Sequence, residues 1–207
     1  MDHNPSPFSP DQQSNELSSK IVLALERLGE VFRASLWKQA KVHKISPIQI
    51  RILIFVAYHE PKQLRTVSSL AAEFQLTRPT ISDAVRVLYQ KDFLAKEPDP
   101  TDSRSYSLSL TSKGQALLKE IEQFAAPIQA VIKGMPIEKQ QSLFAGLLPI
   151  IDQLEVEGEI HTQRMCQRCH YFSVGQGPDP AYCNLLERAL NPPDLRLDCP
   201  EFLPSRL

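Results

Sequence analysis

The chain has 207 residues, of which 42% are apolar, and its formal net charge is −1. This apolar content is sufficient for a folded core and excludes wholesale disorder, whereas the near-zero charge gives no support to nucleic-acid binding, which usually goes with a basic surface. The sequence contains no run of about 18 apolar residues, so we expect no membrane-spanning helix and no membrane partner.

Residues 1–14 contain three prolines and mostly polar side chains. This composition predicts a disordered arm and lacks the apolar segment of a signal peptide. We therefore expect a cytoplasmic protein, in which disulfide bonds are uncommon.

Two long amphipathic helices are predicted, at residues 15–41 and 136–157. In both of them apolar side chains recur every three or four positions. Each is too long and too apolar to be covered by one small domain, so we expect a twofold homodimer that buries them. Packing within one chain is the alternative for the apolar stripe of the last helix.

Shorter elements are predicted between these two helices. They are a helix from Ser46-Pro47 to about Pro61, a strand at Thr66–Val67, a helix capped by Ser68 through Phe74, a helix capped by Thr77 through Leu88, strands at 94–97 and 106–110, and a helix from Thr111 to about Ile132.

The helix after Thr77 has two distinct faces. Ile81, Val85 and Leu88 share one of them, which leaves the polar side chains on the other. A helix that follows another after a short turn can enter the DNA major groove, and a neighbouring hairpin can reach the backbone or the minor groove. An ordinary packed helix pair is the alternative for the two helices alone.

Four stretches of this region, taken in order, strengthen the first interpretation. They are Ser69-Leu70-Ala71, Leu76-Thr77-Arg78-Pro79-Thr80-Ile81-Ser82, Asp99-Pro100-Thr101-Asp102-Ser103-Arg104 and Leu110-Thr111-Ser112-Lys113-Gly114. Together they resemble the MarR family of winged helix-turn-helix regulators, over about residues 15–158. The resemblance implies a mainly α-helical fold with a small β-hairpin wing, a homodimer with interleaved first and last helices, and double-stranded DNA as the partner.

Polar side chains of this region are candidates for DNA contacts. Thr80 and Ser82 lie near the positive N-terminal end of the recognition helix, where they can meet base edges or phosphates. Arg78 and Arg86 suit guanine or phosphate, with a solvated surface position as the alternative for Arg86. Arg104 resembles the wing arginine of the family, and Asp102 would orient it. The predicted DNA-binding residues are Ser68, Ser69, Thr77, Arg78, Thr80, Ser82, Arg86, Asp102 and Arg104.

Two acidic residues depart from the expected pattern. Asp92 stands in a turn that commonly carries glycine in such regulators, and we expect it to take the left-handed conformation. Asp83 places a negative charge on the helix expected to face DNA. It either accepts a hydrogen bond from cytosine N4 or points away from the DNA.

All four cysteines of the chain, Cys166, Cys169, Cys183 and Cys199, lie in a proline-rich segment. The segment is too short to bury a core of its own, so a metal-binding appendix is predicted at residues 161–207. Zinc is the favoured metal because it takes four thiolates. An iron–sulfur cluster uses the same ligands and is the alternative, as are inert free cysteines. His170 is a candidate substitute ligand.

These patterns predict a disordered arm (1–14), a winged helix-turn-helix domain with dimerisation helices (15–158) and the four-cysteine appendix (161–207). The predicted function is that of a transcription regulator, and more specifically of a repressor that binds a pseudo-palindromic operator as a homodimer. A metal-stapled dimeric interaction module without DNA binding is the alternative, and an iron–sulfur or thiol redox sensor is the alternative for the appendix. A small-molecule inducer is implied by the resemblance only. We expect no enzyme activity, because the sequence lacks phosphate-binding-loop, dinucleotide-binding and HExxH patterns.

Overall fold

The computed structural model describes residues 6–98, 105–160, 164–175 and 181–205. Within these ranges the chain forms eight α-helices and five short strands. The helices are α1 (Pro10–Asn15), α2 (Leu17–His43), α3 (Pro47–Tyr58), α4 (Val67–Glu73), α5 (Arg78–Gln90), α6 (Ser112–Ile121), α7 (Ala126–Lys133) and α8 (Ile137–Val156). The strands are β1 (Leu94–Pro98), β2 (Tyr106–Leu110), β3 (Phe172–Ser173), β4 (Ala181–Cys183) and β5 (Arg188–Leu190).

The hydrophobic core lies where α3, α4, α5 and α6 meet the β1–β2 hairpin. Ile50, Leu53, Leu70, Ile81 and Leu88 are all fully buried there. Helix α3 runs through the centre of this core and is apolar along most of its length, as a helix surrounded by other elements must be. The mainly α-helical fold with a small hairpin confirms the prediction from the sequence.

Helix α3 begins with a capping box. The Ser46 hydroxyl accepts a hydrogen bond from the Gln49 backbone N–H, and the Gln49 side-chain oxygen accepts one from the Ser46 backbone N–H at 2.8 Å. Such a pair satisfies two backbone donors that the first helical turn leaves without partners. The Gln49 side chain also donates to the Ala84 carbonyl at 3.2 Å, which ties α3 to α5.

The Leu-Thr-x-x-Gly motif joins the hairpin to α6. The Thr111 hydroxyl accepts from the Gly114 N–H at 3.0 Å and donates to the Asp92 carbonyl at 2.6 Å. A Cβ atom at Gly114 would lie 2.1 Å from the carbonyl oxygen of Phe93, so the position accommodates no larger residue without a backbone shift. The motif thus holds the end of the hairpin against the turn that follows α5.

Residues 164–175 and 181–205 form a separate small unit after α8, which we call the tail. Its strands make an antiparallel sheet in the order β3-β4-β5, with Phe172 opposite Cys183 and Cys183 opposite Arg188. Met165 and Leu190 are the buried apolar residues among its described positions. A core of this size is too small to stabilise a fold alone.

Four local predictions need correction. The disordered arm contains α1, which Ser9 caps by accepting from the Gln12 N–H. No strand forms at residues 66 and 67, because Thr66 is the N-cap of α4 and accepts from the Ser69 N–H; the cap is therefore Thr66 and not Ser68. The helix expected from Thr111 to Ile132 is divided into α6, a 3-10 turn and α7, since Pro127 cannot continue the α6 hydrogen-bond ladder.

Asp92 has a φ of 61°, which confirms the expected left-handed turn after α5. None of the helices in the described ranges is both long and apolar enough to cross a membrane.

Candidate functional site

Helix α5 presents two faces of opposite character. Thr77 caps it by accepting a hydrogen bond from the Thr80 N–H, as its sequence predicts. Ile81, Ala84, Val85 and Leu88 are buried against the core. The opposite face is exposed and polar, and comprises Thr77, Arg78, Thr80, Ser82, Asp83 and Arg86. We call these six residues the polar face of α5.

Side chains of the polar face contact each other. The Thr77 and Thr80 hydroxyl oxygens lie 2.8 Å apart, and one turn further along Arg86 Nη2 donates to Asp83 Oδ1 at 2.8 Å. The Arg86 and Asp83 side chains are 66% and 71% exposed, so this ion pair is solvated and contributes little to stability. Both groups are therefore available to a ligand that approaches this face.

Ser68 and Ser69 lie in the first turn of α4. Ser68 is exposed. Ser69 is half-buried and its hydroxyl donates to the Gln63 carbonyl at 2.6 Å, with the Thr66 hydroxyl 3.0 Å away. The structure thus gives Ser69 a role in holding the start of α4.

The β1–β2 hairpin lies beside α5, and its tip at residues 99–104 is outside the described residues. The predicted contacts of Asp102 and Arg104 fall within that tip. In the described part of the hairpin, the Lys96 ammonium lies 4.5 Å from the Tyr106 ring centroid and 5.2 Å from that of Tyr89. Sequence patterns do not single out this exposed cation, although Lys96 lies on a predicted wing strand.

Helix α2 leaves nearly all of its apolar side chains uncovered. Over 27 residues, only Ser19 and Ala40 are buried, and the exposed residues include Leu17, Leu25, Leu28 and Trp37. In α8 Leu148 is buried, whereas Leu143, Ile150 and Leu154 are exposed. Contiguous apolar surfaces of this extent are typical of sites that another polypeptide covers.

The tail places its four cysteines in turns or at strand ends, and all of them are half-buried free thiols. The Arg196 backbone N–H donates to Cys166 Sγ at 3.2 Å, and Arg196 Nη1 lies 3.7 Å from Cys199 Sγ. Burial raises the pKa of the Cys199 thiol despite this neighbouring guanidinium. His170 is exposed and packs edge-on against Tyr171.

A network of charged side chains fixes the tail to the helix-turn-helix. Arg164 Nη1 and Nη2 donate to the two Glu73 carboxylate oxygens at 2.9 and 3.3 Å, and Arg164 Nε donates to Asp198 Oδ1 at 2.5 Å. His59 Nε2 lies 2.9 Å from Asp198 Oδ2, and the His59 ring stacks on Phe55. We call Arg164, Asp198, Glu73 and His59 the latch.

Electrostatics within the latch favour the charged forms of Asp198 and Arg164. Burial alone would raise the pKa of Asp198, but the hydrogen bonds with His59 and Arg164 outweigh it and lower that pKa to about 2. Burial also opposes the charge on Arg164, and its hydrogen bonds to Glu73 and Asp198 outweigh this effect and raise its pKa. The sequence reasoning missed the latch, because Arg164 and Glu73 are 91 positions apart.

A cavity of about 560 Å³ lies beside the latch, between the tail and the helix-turn-helix. Its apolar lining includes Pro61, Leu64, Ala72, Pro200 and Phe202. It is not the place where the resemblance puts an inducer, namely between the dimer helices and the winged domain.

Residues 43–105 match the family model of the MarR family. The predicted family resemblance is confirmed. This matched segment contains α3, α4, the turn, α5 and β1, and therefore the whole polar face of α5.

Solved structures of MarR-type proteins have a similar fold. The DNA complex of MepR from Staphylococcus aureus has a TM-score of 0.54 and 21% identity, over 64% of this chain and 97% of that one. A MarR transcriptional regulator from Methanosarcina mazei has a TM-score of 0.51 and 19% identity, over 67% of this chain and 96% of that one. No curated protein matches the chain in sequence.

The MarR-family match leaves α6–α8 and the tail outside its limits. The two solved structures are covered almost completely by about two thirds of this chain, so the present protein is longer than either of them.

Proposed function

We propose that this protein is a DNA-binding transcription regulator, and specifically a repressor that binds a pseudo-palindromic operator as a homodimer. The observation that carries the proposal is the two-faced α5, whose apolar side is fixed in the core while its polar face is exposed. A recognition helix needs this arrangement, because the side chains that reach base edges must be held by a rigid support.

The residues proposed to meet DNA differ in their roles. Arg78 and Arg86 carry the charge and the planar fork that suit guanine or phosphate, and Thr80 and Ser82 supply hydroxyl groups near the helix N-terminus. Lys96 adds a positive charge on the wing side. The similar fold of the MepR–DNA complex supports the same use of these elements.

The uncovered apolar faces of α2 and α8 support the homodimer. Two copies that bury these faces around a twofold axis would present two α5 helices to one side of the molecule. Such a pair matches an operator with two half-sites on the same face of the duplex, about one helical turn apart or a multiple of it.

The experiment that tests the proposal is selection of bound sequences from a library of random double-stranded DNA, followed by affinity measurements at several salt concentrations. We expect an inverted-repeat sequence to be enriched, and its affinity to fall steeply with salt because phosphate contacts release counterions. Arg86→Ala should lose about 1–3 kcal/mol of discrimination at one position of each half-site. Arg188→Ala is the matched control, since Arg188 is an exposed arginine on β5 of the tail, outside the polar face of α5 and outside the proposed dimer helices.

Absence of an enriched sequence, together with binding that does not depend on salt, would contradict the proposal. In that case the alternative of a dimeric interaction module without DNA binding gains support. The near-neutral charge of the chain is the observation that favours this alternative.

A further inference from the structure

The turn that carries Cys166 and Cys169 lies at the centre of the tail. It is a short 3-10 turn, closed by a hydrogen bond from the Cys169 N–H to the Cys166 carbonyl at 3.0 Å. A C-x2-C turn of this kind brings two thiols to one side of the chain and is a frequent chelating pair. The other two cysteines approach this turn along different segments.

Backbone hydrogen bonds connect the C-terminal segment, which carries Cys199, to the segment of this turn. The Cys166 N–H donates to the Arg196 carbonyl at 3.1 Å, and the Cys199 N–H donates to the Arg164 carbonyl at 3.0 Å. These two hydrogen bonds hold the segments that contain Cys166 and Cys199 side by side. They place both thiols next to Arg196, whose backbone N–H and guanidinium point at the two sulfur atoms. N–H groups directed at sulfur are a common support for thiolate ligands.

Cys183 is connected to the same turn by the pairing of strands β3 and β4. It stands opposite Phe172 in the β3–β4 pair, and the Phe172 N–H donates to the Cys169 carbonyl at 3.0 Å. One hydrogen-bonded turn therefore separates Cys169 from the strand that faces Cys183. The four cysteines span 34 residues of sequence, and the backbone hydrogen bonds described above connect the segments that carry them.

The tail also needs a stabilising element. Its described residues bury little apolar side chain beyond Met165 and Leu190, and its four thiols form no disulfide. Across the described ranges, which include all four cysteines, no group of three or more cysteine, histidine or carboxylate side chains is gathered closely enough to hold a metal ion. The backbone thus brings the cysteine-bearing segments together, while their thiols are not gathered into a metal site in this structure.

We propose that Cys166, Cys169, Cys183 and Cys199 bind one thiophilic metal centre per chain, with zinc as the metal. Each thiol loses its proton to solvent when its sulfur binds the metal. The four cysteine side chains rotate towards one another in the same step, so formation of the site is coupled to metal binding. Four thiolates suit the tetrahedral geometry of zinc, and a closed site of this type supplies the folding energy that so small a core lacks.

The proposal is tested on the full-length chain, purified anaerobically without chelators. Zinc, iron and acid-labile sulfide are measured per chain, together with the visible spectrum. The variants are Cys183→Ser and Cys199→Ser, and the matched control is Tyr182→Phe, which changes an exposed neighbour of Cys183 without removing a thiol. The helical circular-dichroism signal reports whether the rest of the molecule stays folded, because the described α-helices all end before the tail.

We expect a colourless protein with one zinc per chain in the wild type and in Tyr182→Phe, and loss of the metal in both cysteine variants with the helical signal unchanged. Iron with sulfide and broad visible absorption would support the four-thiolate site and replace zinc by an iron–sulfur cluster. Wild-type protein without stoichiometric metal, or cysteine variants that keep it, would overturn the proposal. DNA binding is measured separately, so this result does not depend on the proposed regulator function.

Discussion

Gly114 shows how one residue connects the wing to the domain. Its missing side chain leaves room for the Phe93 carbonyl, which would lie 2.1 Å from a Cβ atom there. We expect Gly114→Ala to lower the free energy of unfolding by about 1–3 kcal/mol, the range for side chains forced into packed sites. Chemical denaturation at fixed protein concentration measures the change.

Gly146 provides the control for this substitution. It lies inside α8, and a Cβ atom there would meet nothing within 4 Å. Gly146→Ala should therefore raise the free energy of unfolding by up to about 1 kcal/mol, because alanine favours the helix. Equal effects of the two substitutions would show that the close approach at Gly114 is not the constraint.

In the proposed regulator, Asp83 would decide how the polar face of α5 meets DNA. Its carboxylate holds Arg86 at 2.8 Å and cancels one positive charge on the helix. If Asp83 points away from the bases, we expect Asp83→Asn to tighten binding to all sequences and to steepen the salt dependence by about one counterion. Weaker binding to the selected sequence alone would instead show that Asp83 accepts from cytosine. Affinity on selected and random DNA at several salt concentrations separates the two.

At the scale of elements, α8 carries the apolar stripe that we assign to the dimer. Leu154 is 36% exposed in the single chain, so an aspartate there keeps access to solvent in the isolated subunit. In a dimer the same charge is buried without a partner, which is strongly unfavourable. We expect Leu154→Asp to yield monomers in light scattering at micromolar concentration, with the helical signal retained.

Gln153→Asp is the control for the charge itself. Gln153 is exposed and next to Leu154, on the polar side of α8. The Gln153→Asp variant should remain dimeric. A wild-type monomer, or a Leu154→Asp variant that stays dimeric, would contradict the assignment of α8 to the interface.

The elements that the sequence predicted well have local causes. Ser46 and Thr77 are the N-caps of α3 and α5, and the apolar spacing of α5 leads to its buried face. The sequence misplaces the start of α4 because Thr66 and Ser68 are both suitable caps. In the structure Thr66 is the cap, and Val67 and Leu70 pack in the core. The latch joins residues that are far apart in sequence, and contacts of this kind produce no periodic pattern of residue types from which they could be predicted.

At the scale of the whole molecule, the tail contacts both functional parts. The latch joins it to the ends of α3 and α4, and Arg168 Nη2 lies 2.7 Å from Asp152 Oδ1 on α8. The tail therefore bridges the helix-turn-helix and the proposed dimer helix. In the proposed dimer, a change in the tail would act on α8 and so on the spacing of the two α5 helices.

Arg164 is the residue through which this bridge is tested. Its side chain is only 14% exposed and makes three hydrogen bonds to two carboxylates. We expect Arg164→Ala to lower stability by about 1–3 kcal/mol, typical of lost hydrogen bonds to charged groups, and to speed proteolysis of the tail. Arg188→Ala, at an exposed site on β5, is the control and should be cleaved at the wild-type rate. Equal cleavage of both variants would mean that the latch does not hold the tail.

The nearly uncovered length of α2 has a consequence for the amount of protein that a cell must hold. In the proposed homodimer, a helix of 27 residues that buries only Ser19 and Ala40 within its own chain would draw most of its stabilisation from the second copy. Folding and association are then linked, and the melting temperature should rise with protein concentration, which calorimetry at dilutions over two decades measures. At low protein concentration α2 would unfold before the central core does. The abundance of the protein would therefore set the fraction of chains that are folded as dimers.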